Sequence, residues 1–178
     1  MTEDKDKLRI RRETPADYDE VYELVNMSFA TSSHFDGTEA DYLNALRKKD
    51  VFIPELALVA VSEQNGEIIG QITLYKTEIQ TPQAVLTELL LSPICVHPRY
   101  FRRGIARAMV EEALGLAADM GYRAVFLCGE PEIYKRLGFK PTFSYNIFHA
   151  DDPAAEWSMV RELYENALSG ITGTIRTL

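Results

Sequence analysis

Three consecutive segments in the middle of the chain constrain the fold more than any other feature. Residues 86–96 form a nearly continuous apolar run, residues 103–120 follow an amphipathic helical pattern, and residues 124–128 form a second apolar run. Strands that are apolar on both faces are typical of a sheet covered on both sides. A helix between two such strands indicates a parallel crossover, because parallel neighbours cannot be joined by a tight turn.

The remaining elements complete a mixed sheet. The pattern predicts a strand over 8–11, a helix that begins at Thr14-Pro15, and a helix that begins after Thr38 and ends near Lys49. It then predicts strands over 56–62 and 68–79, a short helix over 132–137, and strands over 139–148 and 157–164, the last of which also fits a helix. The Asn65-Gly66 pair favours a hairpin in which both turn residues have positive φ. We therefore expect an α/β (α+β) fold with the order β-α-α-β-β-β-α-β-α-β-β, antiparallel strands first and helices flanking the sheet.

The central helix shows a clear apolar stripe. Its predicted inward residues are Ile105, Met109, Ala113, Leu116 and Met120. No repeat, low-complexity segment or linker interrupts the chain, so residues 1–178 are predicted to form one domain.

Composition excludes some partners and locations. The net charge of −8, from 27 acidic and 19 basic residues, argues against nonspecific nucleic-acid binding. It favours a cationic substrate such as an amine, although solubility alone would also account for it. No apolar run reaches the roughly 20 residues of a membrane helix. Because residues 1–13 lack the apolar stretch of a secretory signal, we expect a cytoplasmic protein without a membrane partner.

The two cysteines do not indicate a metal site. Cys95 and Cys128 lie in apolar, strand-like runs and are predicted to be buried free thiols. His97 lies two residues from Cys95, on the same face of a strand, so a Cys/His pair stays an alternative. His34 and His149 lie in unrelated segments, and we expect no metal.

Residues 94–107 are the part of the sequence that most specifically indicates a function. A buried strand ends, a short basic loop follows, and a helix begins at Gly104. Free N–H groups at a helix N-terminus bind anions, and the small side chains of Gly104 and Ala106 let a phosphate approach the backbone. Arg102, Arg103 and Arg107 add positive charge. The alternative is a solvated basic loop without a ligand.

This segment resembles the acyl-CoA motif of the GCN5-related N-acetyltransferase (GNAT) family. The family pattern Gln/Arg-x-x-Gly-x-Gly/Ala is matched by residues 101–106, with Phe101 in place of the usual Gln or Arg. Residues 129–139 resemble the family's Tyr-x-x-x-Gly-Phe signature and a bacterial subgroup with Gly-Asp-Pro-x-Tyr-Tyr-x-Arg-Phe-Gly-Phe, from which Glu130 and Ile133 depart. Residues 173–176 also resemble the tail of that subgroup.

The resemblance implies an acetyl-CoA cosubstrate and direct attack of a neutral primary amine on the thioester. It implies the cofactor-binding residues Ile94, Cys95, Val96, Phe101, Arg102, Arg103, Gly104, Ile105, Ala106 and Arg107. It also implies Tyr134 as general acid and Glu88 as general base, with His97 or an ordered water chain as alternatives to Glu88. The expected partners are a small-molecule or peptide amine and a second copy of the chain in a homodimer.

Two other functions stay open. A non-catalytic acyl-CoA-binding or regulatory module could use the same fold, because fold does not determine activity. A nucleotide-binding protein is disfavoured, because the chain has neither Gly-x-Gly-x-x-Gly after a first strand nor a Gly-Lys-Ser/Thr loop.

Overall fold

The computed structural model of the chain describes residues 7–33 and 35–177. His34 and residues 1–6, to which two of the sequence predictions refer, lie outside this range. The helices are α1 (Tyr18–Phe29), α2 (Glu39–Leu46), α3 (Ile105–Asp119) and α4 (Pro131–Tyr134). The strands are β1 (Leu8–Arg12), β2 (Phe52–Ser62), β3 (Ile68–Gln80), β4 (Val85–Val96), β5 (Ala124–Cys128), β6 (Lys140–Pro141), β7 (Ile147–His149), β8 (Ser158–Glu162) and β9 (Gly173–Ile175).

The strands form a mixed, mostly antiparallel sheet with the order β1-β2-β3-β4-β5-β8-β6, and β9 pairs with both β3 and β7. Strand β5 is parallel to β4, with Leu89 opposite Val125, as the apolar runs on either side of α3 predict. Strands β7 and β9 form a second parallel pair. The predicted fold class and the order of elements through α4 are confirmed.

The chain divides into two compact units. The first contains the residues up to Thr73 and residues 93–113, and the second contains residues 74–92 and 114–178. The core of the first includes Val21, Val25, Leu43, Leu56, Ile69, Ile72 and Met109, and that of the second includes Ile79, Leu89, Val125, Phe126, Phe139 and Met159. The single domain over residues 1–178 stays a prediction.

A glycine sets the packing of α3 in the first unit. A Cβ on Gly70 of β3 would lie 2.9 Å from the Met109 side chain, closer than carbon atoms normally approach. The absence of a side chain at Gly70 therefore lets the first turns of α3 pack closely on the sheet.

The apolar stripe of α3 is predicted correctly only over its first half. Ile105, Met109 and Ala113 are buried, whereas Leu116 is half-buried and Met120 is 46% exposed. The buried face continues instead from Ala113 to Ala117, and it also includes Val110 and Leu114. The prediction took a step of three residues after Ala113 where the observed stripe takes a step of four.

The hairpin between β2 and β3 forms at the predicted place but with a different turn. Gly66 has a φ of 73°, whereas Asn65 is not among the residues with positive φ. A four-residue loop separates Ser62 from Glu67, and the Gly66 N–H donates to the Ser62 carbonyl at 2.8 Å. The prediction of two positive-φ turn residues is therefore wrong, because the longer loop needs a left-handed residue only at its last position.

The predicted strand over 139–148 is divided into β6 and β7. A 3-10 turn at Thr142–Tyr145 separates them, and Asn146 follows it with a left-handed φ of 59°. Pro141 ends β6, because it has no N–H to extend the ladder. The predicted strand over 157–164 is confirmed as β8, and β9 was not predicted as a strand.

The start of α1 is fixed by an acidic residue. A 3-10 turn at Pro15–Asp17 precedes the helix, and the Asp17 carboxylate accepts hydrogen bonds from the Thr14 backbone N–H at 2.8 Å and from the Arg11 guanidinium at 2.8 and 2.9 Å. The hydrogen bond from Arg11, reinforced by those from Thr14, lowers the pKa of Asp17 from 3.8 to about 2.

Among the described residues, no helix is long and apolar enough to span a bilayer.

We expect Asp17→Asn to lower the stability of the protein at neutral pH. A carboxyl whose pKa falls on folding stabilises the native state above its unfolded pKa and loses that effect as the pH falls through the folded pKa. The stabilisation, about 2 kcal/mol from the size of the shift, should therefore disappear between about pH 4 and pH 2. Thermal melts of both proteins from pH 7 to pH 2 measure this.

Asp19→Asn removes the same charge from an exposed position of α1 and serves as the control. A difference in melting temperature between wild type and Asp17→Asn that stays constant down to pH 2 would contradict the assignment.

Candidate functional site

Strand β4 ends in a tight turn. The His97 N–H still donates to the Ile69 carbonyl of β3 at 2.8 Å, but Pro98 has no N–H to continue the ladder. A 3-10 turn follows at Pro98–Tyr100, and the Arg99 N–H donates to His97 Nδ1 at 3.1 Å. The chain therefore leaves the sheet at His97, whose backbone N–H is bonded to β3 and whose side chain accepts from the turn that follows.

The loop before α3 has an unusual backbone. Gly104 has a φ of 80°, and Arg102 has a φ of 62°, which is uncommon for a residue with a side chain. A left-handed non-glycine residue costs about 1 kcal/mol or more and is concentrated at ligand sites. The strain at Arg102 indicates that this loop is held in its shape for a reason other than stability.

The start of α3 leaves backbone donors without acceptors inside the helix. Its first bond runs from the Ala108 N–H to the Gly104 carbonyl at 3.0 Å, so the N–H groups of residues 105–107 have no intrahelical partner. A Cβ built on Gly104 would meet no atom within 4 Å, so the space in front of these donors is open. Together with the helix dipole, this arrangement favours an anion.

The arginines predicted from the sequence surround this helix start. The side chains of Arg102, Arg103 and Arg107 are exposed, and the Arg103 guanidinium lies over the Tyr100 ring at 5.1 Å. Phe101, where the family motif has Gln or Arg, is 46% exposed. Its outward position fits a residue that contributes through its backbone.

Glu67 anchors the loop and was missed in the sequence. Its carboxylate lies 2.9 Å from the Arg99 guanidinium, 3.5 Å from the Tyr100 hydroxyl and 3.8 Å from His97 Nε2. The contacts join the β2–β3 hairpin to the turn after β4. The Nδ1 atom of the buried His97 already accepts from the Arg99 N–H, which favours an anchoring role for His97 over that of a general base.

The last residues of β4 lie beside α1. The Ser28 hydroxyl donates to the Val96 carbonyl at 2.8 Å, and Cys95 is buried. Burial raises the pKa of the Cys95 thiol to about 12, and its contacts with the Ser28 side chain and the Gln71 backbone offset this only in part. The thiolate is therefore disfavoured, which argues against the Cys95/His97 nucleophile.

Cys128 is exposed, so the prediction that it is buried is wrong. It is the last residue of β5, where the strand leaves the sheet, and its Sγ lies 2.9 Å from Thr177 Oγ1. The last residue of a strand can be exposed even where the residues before it are buried, as in β5.

Tyr134 lies at the end of α4 and is held by two neighbours in the second unit. Its ring covers Gly129, where an added Cβ would come within 2.3 Å of Cε2, and it contacts the edge of Phe139 at a centroid distance of 6.1 Å. Burial raises the pKa of Tyr134, so the phenol keeps its proton at neutral pH. Among the hydrogen bonds of the described residues, none involves the Tyr134 hydroxyl. Tyr134 therefore presents an unused proton donor.

Glu88 has a full set of partners. It is 1% exposed, and its carboxylate accepts from the Arg123 N–H at 2.8 Å, the Arg123 guanidinium at 2.9 Å and the Ala124 N–H at 3.4 Å. These contacts hold the first residues of β5. They favour a positioning role, and the role of general base stays a prediction.

Across residues 7–33 and 35–177, no group of three or more His, Cys, Asp or Glu side chains is placed to hold a metal ion.

Comparison with known proteins agrees with these features. The sequence model of the acetyltransferase (GNAT) domain family matches residues 9–142. N-acetyltransferase Eis of Mycobacterium tuberculosis and of Mycobacterium bovis is 31% identical over 115 residues. That match covers 57% of this chain but only 29% of Eis, so the chain spans less than a third of the length of these relatives.

Two solved structures share the fold. The GNAT family N-acetyltransferase YhbS of Escherichia coli, in complex with CoA, superposes with a TM-score of 0.79 at 28% identity, over 97% of this chain and 90% of that one. A GNAT family acetyltransferase of Brucella melitensis, in complex with acetyl-CoA, gives 0.75 at 21% identity over 97% of both chains.

The family resemblance carried by residues 101–106 and 129–139 is thereby confirmed. Because the domain match extends over most of the chain and includes the strand, loop and helix start described above, the chain belongs to the GNAT acetyltransferase family.

Proposed function

We propose that the protein is an acetyl-CoA-dependent N-acetyltransferase that transfers the acetyl group to a primary amine by direct attack on the thioester. The observation that carries this proposal is the start of α3, with the strained Arg102, the open Gly104 and the N–H groups of residues 105–107. The family supports it, as does the complex of YhbS with CoA.

The cofactor pyrophosphate binds over the loop and first turn of α3. The N–H groups of residues 105–107 donate to phosphate oxygens, and Arg102, Arg103 and Arg107 provide charge-assisted hydrogen bonds around them. The backbone of Ile94, Cys95 and Val96 binds the pantetheine arm. A backbone N–H in that segment stabilises the thioester oxygen as negative charge develops on it.

The reaction needs three proton transfers. The ammonium of the acceptor loses one proton, and its nitrogen attacks the carbonyl carbon. As the C–S bond breaks, the nitrogen loses its second proton to solvent and the thiolate receives the Tyr134 proton. The pKa of a phenol is roughly 10 and that of a thiol roughly 8.5, so the transfer from Tyr134 to the thiolate is slightly uphill. Burial of Tyr134 increases the difference. Solvent then returns a proton to the phenolate.

The first proton leaves through ordered water or through Glu88. The carboxylate of Glu88 already accepts three hydrogen bonds, which supports the water route. The acceptor is a cationic small molecule or peptide, in keeping with the net charge of −8.

A coupled assay of CoA release over a panel of primary amines tests the activity. Turnover of at least one amine is the expected result. Acetyl-CoA binding without CoA release from any amine would favour the alternative, a non-catalytic acyl-CoA-binding module on the same fold.

We expect Gly104→Val to abolish acetyl-CoA binding in isothermal calorimetry. The branched side chain enters the open space that the phosphate needs, and it strains a residue with a φ of 80°. Gly170→Val is a matched control, because Gly170 has a φ of 77° and is also open. Both variants should lose similar stability, and only Gly104→Val should lose binding. Wild-type affinity in Gly104→Val would refute the placement of the pyrophosphate.

We expect Tyr134→Phe to lower kcat by about 10²–10⁴-fold, the usual contribution of a general acid. Acetyl-CoA affinity should change little, because one hydrogen bond contributes only about 1 kcal/mol. Single-turnover kinetics isolate the chemical step. Tyr164→Phe, at a tyrosine that is 54% exposed, is the control and should turn over normally. A kcat for Tyr134→Phe within about threefold of wild type, far below that range, would leave solvent as the proton source.

We also expect a homodimer that pairs through the C-terminal strands. Phe148, Trp157 and Tyr164 in this part of the chain are each more than a third exposed, which is typical of aromatic residues that a partner covers. Light scattering at micromolar concentration measures the mass, and a monomer would contradict this prediction.

A further inference from the structure

Three hydrogen-bonded side chains meet at the end of β5, one residue from the glycine that Tyr134 covers. Cys128 Sγ lies 2.9 Å from the Thr177 hydroxyl, and that hydroxyl lies 3.1 Å from Nε2 of His149. The three residues come from the end of β5, the segment after β9 and the end of β7. All of them belong to the second unit. The proposed reaction uses neither Thr177 nor His149.

His149 sets the direction of these hydrogen bonds. It is 4% exposed, and its Nδ1 accepts from the Asp151 N–H at 3.2 Å. A neutral imidazole that accepts at Nδ1 carries its proton on Nε2, so Nε2 donates to the Thr177 hydroxyl. The proton of that hydroxyl is then directed at Cys128 Sγ. Thr177 therefore joins a buried ring of fixed orientation to the exposed end of β5.

Strand β9 determines where Thr177 lies. It pairs with β3 and with β7, and its residue Ile175 is opposite His149. A Cβ on Gly173 would lie 2.5 Å from the Gln80 carbonyl oxygen, so the backbone of β9 approaches β3 more closely than a residue with a side chain would allow. Thr177 follows Ile175 by two residues. Its hydroxyl is thus held in place by the sheet.

The end of β5 is paired more extensively with one neighbouring strand than with the other. Within the described residues, its register with β4 ends at Phe126, whereas its register with β8 continues to Cys128. The Gly129 N–H extends the contact with β8, because it donates to the Trp157 carbonyl at 2.9 Å. The hydrogen bond from Thr177 to Cys128 is therefore a second attachment of this strand end, made by side chains.

The position of Tyr134 depends on the same strand end. A Cβ on Gly129 would come within 2.3 Å of the Tyr134 ring, so the ring packs directly on the backbone that follows Cys128. A displacement of this backbone therefore displaces the ring. Proton transfer requires the donor within hydrogen-bond reach of the acceptor, and a small misplacement lowers the rate strongly.

We propose that Thr177 is a positioning residue, which ties the end of β5 to His149 and thereby holds the Tyr134 phenol in place for proton transfer to the thiolate. This inference rests on the proposed acetyltransferase function. Thr177 acts on the phenol through Cys128 and Gly129, so its loss lowers the fraction of molecules in which Tyr134 is placed productively. Binding of the cofactor pyrophosphate, which we assign to the start of α3, does not depend on Thr177.

The test is Thr177→Val, which keeps the shape of the side chain and removes the hydroxyl. We expect kcat in single turnover to fall about tenfold, the factor that roughly one hydrogen bond contributes. KM for the amine and the affinity for acetyl-CoA in calorimetry should stay near their wild-type values. Thr177→Ser keeps the hydroxyl and should turn over normally. A wild-type kcat in Thr177→Val would overturn the proposal.

Cys128→Ala is the second variant, because it removes the other end of the same hydrogen bond. It should reproduce the loss of kcat seen in Thr177→Val. Normal turnover in Cys128→Ala would show that Thr177 does not act through the end of β5, and it would overturn the proposal.

Thr81→Val is the matched control. The Thr81 hydroxyl also makes two hydrogen bonds, both with Ala84 in the turn between β3 and β4 of the second unit. Its removal should cost a similar amount of stability and leave kcat near the wild-type value. An equal loss of kcat in Thr81→Val and Thr177→Val would overturn the proposal, because activity would then follow the stability of the second unit.

A double-mutant cycle identifies the residue through which Thr177 acts. In a Tyr134→Phe background no phenol proton is left to position, so adding Thr177→Val should change kcat by no more than about twofold. A further loss of about tenfold, the full effect of the hydrogen bond, would mean that Thr177 acts on another step. A wild-type kcat in Tyr134→Phe alone would remove the phenol from the mechanism and this proposal with it.

Crystal structures of the wild type and of Thr177→Val give a reading that does not depend on turnover. We expect the Tyr134 ring to be displaced from Gly129 or disordered in the variant, and a ring in the same place in both proteins would overturn the proposal. A wild-type protein that releases no CoA with any amine is a different outcome. It refutes the acetyltransferase function, while the two crystal structures still decide whether Thr177 positions the ring.

Discussion

The N–H groups of residues 105–107, which have no acceptor inside α3, are the constraint on which the proposed functional part of this structure depends. A helix cannot satisfy its own first donors, so the chain must either cap them or leave them for a ligand. Here the loop before the helix leaves them open, with Arg102 in a left-handed conformation and Gly104 without a side chain. The contacts of Glu67 with Arg99 and Tyr100 hold the preceding turn in place. This arrangement favours a bound anion.

Local features of the sequence predicted this region well. The apolar runs on either side of α3 predicted the parallel pair of β4 and β5, and residues 101–106 predicted a helix start at Gly104, one residue before α3 begins at Ile105. Glu67 could not be found in the same way. It lies 32 residues from Arg99, and nothing near Gly66 in sequence indicates that its carboxylate meets the turn after β4.

The errors have a common physical origin at the ends of elements. The strand predicted over 139–148 is divided because Pro141 ends a ladder and Asn146 accepts a left-handed φ. Cys128 is exposed because β5 stops there, although the four residues before it are buried. The hydrophobic pattern of a sequence predicts where the middle of a strand or helix lies. The positions of the ends depend on individual backbone hydrogen bonds.

Buried polar groups in this chain fall into two kinds. The carboxylates of Asp17, Glu13 and Glu88 are paired with Arg11, Arg47 and Arg123, and each pair joins two segments of the chain. Removing either partner would leave an uncompensated charge, so these groups are best explained by structure. The Tyr134 hydroxyl is different, because it belongs to a half-buried residue and none of the hydrogen bonds among the described residues involves it. A proton donor that the fold leaves unused is available to a ligand, and this is the physical basis on which we propose Tyr134 as the general acid.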